Sequence, residues 1–139
     1  MKNLLKNVLE LMGIVYLRFH ILPRIWCVWL VGVNAACLYY IAHIEAQVVL
    51  AVTAIAVVAQ ALIYDHLRFT RVMGIAHILW LPMFAWMWTR VEIIRADEGL
   101  ATWLMVLAVT NAISLIIDAV EVARFASGDR GETYRWALT

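Results

Sequence analysis

Four stretches of this chain are apolar for long enough to cross the hydrocarbon core of a bilayer, which takes roughly 17–25 helical residues. They lie at about 24–42 (RIWCVWLVGVNAACLYYIA), 46–64 (AQVVLAVTAIAVVAQALIY), 72–89 (VMGIAHILWLPMFAWMWT) and 100–122. Nothing else in the sequence restricts the fold as much. In lipid every backbone N–H and C=O has to be satisfied without water, so such segments are helices; barrel strands would instead alternate over runs of about ten residues. Of 139 residues 65% are hydrophobic and 15% charged, whereas soluble domains carry about 25% charged residues. A formal net charge of +1 offers nucleic acid no concentrated basic patch.

The connections are short and no Gly-, Ser- or Pro-rich linker divides the chain, so residues 1–139 read as one domain. The expected fold is all-α and polytopic, an up-down bundle of four transmembrane helices preceded by an amphipathic interfacial helix. That first helix is read from residues 1–22. Leu4, Leu5, Val8, Leu9, Leu11, Met12, Val15 and Phe19 share one side of its wheel, and Lys2, Asn3, Lys6, Asn7, Glu10 and Arg18 share the other. Ile14 and Leu17 fit neither side. Glu10 and the lack of an A-x-A-like site argue against a cleaved secretory peptide. The helix is expected to lie in the membrane surface with its lysines near anionic lipid, and Pro23 to stop it before the first span.

Orientation follows from the basic residues. Nine of the eleven Lys and Arg fall in the N-terminal segment up to Arg24, in the second connection and in the chain after the fourth span, from Arg124 on; only Arg90 and Arg95 fall on the opposite side. Both termini are therefore expected in the cytoplasm, with the protein in the inner (plasma) membrane. Trp26 and Trp29 at one level, and Tyr39, Tyr40, Trp86, Trp88 and Trp103 at the other, suit the two headgroup regions. Cys27 and Cys37 are about 15 Å apart along one helix, too far for a disulfide.

The fourth span, LAVTNAISLIIDAVEVARF, carries Asn111, Ser114, Asp118 and Glu121 on one arc of about a quarter of its circumference, with Thr110 at the edge. Such an arc points into a bundle or toward another subunit. Counting depth from the span ends groups Asn34 with Asn111 at mid-membrane, and Gln60, His77, Ser114 and Asp118 in a layer below. Glu121, Asp65 and His66 sit at the cytoplasmic mouth. Interhelical hydrogen bonding accounts for the amides and hydroxyls. A carboxylate at such depth calls for a partner, and His77, Arg71 and Arg124 are the candidates for Asp118.

A metal site from Asp65, His66, His77, Asp118 and Glu121 lacks any H-x-x-x-H, H-E-x-x-H or D-x-D spacing. Bis-histidine haem lacks a second histidine at the depth of His77. No potassium-channel filter, phosphate loop or G-x-S-x-G nucleophile is present, and no cofactor is assigned. Three functions remain. The first is a structural or accessory subunit of a larger or homo-oligomeric membrane assembly, its partners being lipid and other membrane subunits. The second is conduction of a cation, proton or small solute through the polar layer centred on Asp118 and His77. The third is a metal-dependent enzyme at the cytoplasmic interface.

Overall fold

The computed structural model describes residues 2–136; the Lys2 side chain and tail residues 137–139 lie outside what is described. Among the described residues there are helices and connections and no strand. Helix α1 (Lys2–Gly13) continues as a wider π-helical turn, Ile14–Arg18. Helix α2 (Ile21–Ala35) tightens into a 3-10 turn, Ala36–Leu38, and α3 (Ile44–Leu67) returns beside it. A 3-10 helix, Arg71–Leu79, leads into α4 (Trp80–Trp88). The short α5 (Val91–Arg95) precedes the long α6 (Glu98–Ala126). Asp97 starts α6 by accepting the Leu100 N–H at 2.9 Å, which satisfies one of the helix's orphan donors.

Three helices are long and apolar enough to cross a membrane: Ile21–Leu38, Ile44–Leu67 and Glu98–Ala126. Their outward faces are rich in bare Leu, Ile, Val and Met, including Leu22, Leu62, Met105 and Ile116. An apolar surface this continuous belongs against lipid; the protein is membrane-embedded. The run at about 72–89 differs from its expected form. It is helical throughout but wound in two ways, so neither piece alone has the length of a span. Pro82 sits in the first turn of α4, where the chain changes winding and a missing N–H costs least.

The interior has two apolar centres. One gathers Val33, Cys37, Val49, Trp103 and Leu107 near the loops that join α2 to α3 and α4 to α6. The other gathers Leu11, Ile14, Phe19, Ala61 and Tyr64 near the termini. Cys27 and Cys37 are both free thiols.

Two expectations for the N-terminal segment need correction. The wheel turned Asn7 and Glu10 away from the apolar face, yet α1 packs on α3 through them. Asn7 is buried and donates from Nδ2 to the Ala61 carbonyl (3.2 Å) and to Asp65 Oδ1 (3.0 Å), while the Tyr64 hydroxyl donates to Glu10 (2.9 Å). Leu5, Leu9 and Leu17 are left exposed. Asn7, Leu11 and Ile14, spaced four and three residues apart, share one side of the helix, and that side rather than the leucine-rich one turns inward. Beyond Gly13 the helix widens, the Phe19 N–H reaching back five residues to Ile14 O at 3.1 Å. Pro23 does not stop this helix either. The break falls at Phe19 and His20, and Pro23 occupies the first turn of α2.

The tail returns over this corner. The Thr133 N–H donates to Phe69 O at 2.8 Å, Tyr134 packs on Phe19 with ring centroids 4.4 Å apart, and Arg18 donates to the Trp136 carbonyl at 3.1 Å.

Candidate intramembrane polar site

Helix α6 carries the polar arc, and each group on it meets a different neighbour. At the deepest level Asn111 is fully buried and exchanges amide hydrogen bonds with Asn34 of α2. Asn34 Nδ2 donates to Asn111 Oδ1 at 2.9 Å, and Asn111 Nδ2 donates back to Asn34 Oδ1 at 3.2 Å. Asn34 also donates to the Leu30 carbonyl one turn earlier, at 2.9 Å. Beside this pair the Trp29 indole N–H donates to Thr110 Oγ1 at 3.1 Å. Trp29, half-exposed on α2, thus joins the Asn34–Asn111 level through its indole N–H. Ser114 lies buried one turn along from Asn111.

A reciprocal amide pair is self-sufficient: each side chain uses the other's donor and acceptor. Within membranes such bonds contribute about 0.6 kcal/mol on average, and an orphaned partner adds roughly 1–3 kcal/mol of desolvation cost. Asn111→Leu should therefore destabilise the fold by about 1.5–3.5 kcal/mol. The Asn34→Leu/Asn111→Leu double variant should cost clearly less than the two singles together. Detergent-titrated unfolding followed by circular dichroism measures both; strictly additive losses would show that the pair does not act as a unit.

The second level joins three helical segments. His77 Nδ1 lies 2.8 Å from Asp118 Oδ2, and His77 Nε2 lies 3.2 Å from Gln60 Nε2 of α3. With the Gln60 amide donating, Nε2 accepts and Nδ1 carries the proton donated to Asp118. The imidazole stacks on Trp80, centroids 4.3 Å apart and rings within 8° of parallel. The His77 and Asp118 side chains are 15% and 19% exposed, mostly withdrawn from the surface. Gly74 makes this approach possible. A Cβ there would lie 2.6 Å from the Asp118 Cβ and 2.7 Å from its Cγ, inside any real carbon contact.

One turn further along α6, Glu121 takes the arginines that the sequence also offered to Asp118. Arg71 bonds Glu121 through Nη1 and Asp129 through Nε at 2.8 Å. Arg124 lies 3.5 Å from Glu121 and 3.1 Å from Asp129. Asp65 is engaged by Asn7, and His66 is exposed on the last turn of α3. Among the described residues no three His, Cys, Asp or Glu side chains converge as metal ligands. Of the five metal candidates only His77 and Asp118 are bonded to each other, and the cluster at His77 offers one imidazole, one carboxylate and one amide.

Three contributors escaped the sequence reading. Gly74 and Trp80 flank His77 at spacings of three, a signal visible only to a search for three-residue periodicity. Glu45, which stands between the first two apolar runs, is buried at the opposite end of α3 and bonded by Arg90 Nε at 2.7 Å. No protein-family model matches this sequence, and no curated protein or solved structure matches it.

Proposed function

We propose that this chain is a small integral protein of the inner (plasma) membrane serving as a structural or accessory subunit of a larger or homo-oligomeric assembly. The observation that carries the reading is the closure of the polar groups on one another. Asn34 is taken by Asn111, His77 by Asp118 and Gln60, and Glu121 by two arginines. Groups spent on internal bonds fix how helices pack and leave the outer faces for neighbours. One such face is an open hollow of about 410 Å³ beside α2, lined by Val28, Trp29, Gly32, Val33, Ala36 and Trp103.

Four crossings fit this reading. Nine residues of 3-10 helix rising about 2.0 Å each and nine of α-helix rising about 1.5 Å give roughly 31 Å, the thickness of a hydrocarbon core. The segment 71–88 then completes a four-helix bundle, its unusual winding making up for its small number of residues. The basic bias supports cytoplasmic termini. The test is purification of the tagged chain at near-native expression in mild detergent. A stoichiometric membrane partner or a defined homo-oligomer is expected, and a chain eluting alone as a monomer overturns the proposal.

The couple of His77 and Asp118 supports a second reading, movement of a proton or cation through the layer they centre. Purified chain in liposomes should then pass current or take up cation, and Asp118→Asn should abolish it. Flux equal in the two proteins removes this reading and leaves the first standing.

A further inference from the structure

The segment Arg71–Leu79 is nine residues of continuous 3-10 helix, where runs longer than three or four residues are uncommon because the hydrogen bonds are poorer and side chains eclipse. Eclipsing is the useful property here. At three residues per turn, Arg71, Gly74, His77 and Trp80 stand in one straight row. In an α-helix each step of three turns the side chain by about 60°, so Arg71 and Trp80 would point in opposite directions.

Every member of that row has its own engagement. Arg71 binds Glu121 of α6. Gly74 admits the Asp118 side chain against the backbone, and His77 bonds the same carboxylate at 2.8 Å. Trp80 lies flat on His77, as eclipsed neighbours do. Two buried polar atoms bracket the segment, Thr70 Oγ1 and Trp80 Nε1, and neither has a hydrogen-bond partner among the described residues. A costly winding with orphaned atoms at both ends persists because something external holds it.

We infer that residues 71–79 form a two-state element, held in 3-10 winding by the row's contacts with α6 and released into α-helix when the bond between His77 and Asp118 is lost. Rewinding shortens the segment by about 0.5 Å per residue, about 4–5 Å over nine residues, and fans the row away from α6.

The charged and titratable groups around the latch are few. Helix α6 presents Asp118 and, one turn on, Glu121 with Arg124. The segment itself presents Arg71, which also holds Asp129 of the tail. Helix α3 presents the neutral Gln60, and Cys27 of α2 is within electrostatic reach of Asp118. The latch is the hydrogen bond from the imidazole Nδ1–H to the Asp118 carboxylate, so loss of that acceptor is what frees the segment.

The test uses the full chain with Cys27→Ala and Cys37→Ala and spin labels on Leu67→Cys and Trp88→Cys, both exposed positions bracketing the segment. Pulsed electron resonance in bilayers reads the label separation, and NMR couplings across backbone hydrogen bonds read whether residues 74–79 pair to the third or fourth residue back. The expected result is third-residue pairing in the parent chain. Asp118→Leu, which removes the acceptor at similar volume, should shift it to fourth-residue pairing with a separation shorter by about 4–5 Å. Should Asp118→Leu fail to fold, His77→Phe keeps a ring against Trp80 and should give the same shift. An α-helical parent chain, or folded variants that retain the parent's separation and pairing, would overturn the inference.

Discussion

Arg90→Met is expected to destabilise the folded chain by about 3–5 kcal/mol, the cost of stranding one member of a buried ion pair. The carboxylate left behind is Glu45, only 3% exposed in the first turn of α3, where Arg90 Nε donates to it at 2.7 Å. The positive end of the helix dipole favours an acid there, by about 0.3–1 kcal/mol at an exposed site, which is too little to hold an unpaired charge away from water. The stem of Arg90 is itself fixed, its guanidinium lying 5.1 Å from the centre of the Trp86 ring. Glu45→Gln in the Arg90→Met background should recover most of the loss, because an amide replaces the charge. Equilibrium unfolding of the parent, the singles and the double gives the coupling directly. A loss under about 1 kcal/mol for Arg90→Met would place this pair among ordinary surface ion pairs.

That pair also marks where the sequence was hard to read. Glu45 and Arg90 each adjoin an apolar run, and hydropathy says nothing about which charges between runs fold inward. The arc on α6 was more legible. Four polar residues in one quarter of a helix imply an interior, and equal depth grouped Asn34 with Asn111, and His77 with Asp118 and Gln60. The structure brings these same side chains into hydrogen-bonding distance. Winding was not legible at all. Hydrophobic periodicity over 72–89 separates lipid from core but does not distinguish 3.0 from 3.6 residues per turn in a segment apolar on nearly every side. Asn7 and Ile14 were hard to place for another reason: they lie together at the edge of the apolar arc of an ordinary helical wheel, and packing on α3 decides which edge turns inward.

Gly74→Ala and Gly32→Ala should move stability in opposite directions, and the contrast isolates close helix contact from helix propensity. Either change removes a glycine from a helical segment, which by itself favours the variant by up to about 1 kcal/mol. Around Gly32 nothing lies within 4 Å of the added methyl, so Gly32→Ala should be neutral or stabilising. At Gly74 the methyl would meet Asp118 Cβ at 2.6 Å and Oδ1 at 2.5 Å. A carboxylate oxygen can swing aside, but a Cβ is fixed to the backbone of α6, so the two segments have to separate. Overpacking of this kind costs about 1–3 kcal/mol, and here it should approach the upper figure because separation also breaks the His77 bond. The nitrogen chemical shifts of His77 report that second loss independently of global stability, since Nδ1 changes environment when Asp118 leaves it. Gly74→Ala as stable as Gly32→Ala, with unaltered His77 resonances, would mean that α6 does not approach residue 74 this closely, and the row from Arg71 to Trp80 would lose the contact that aligns it.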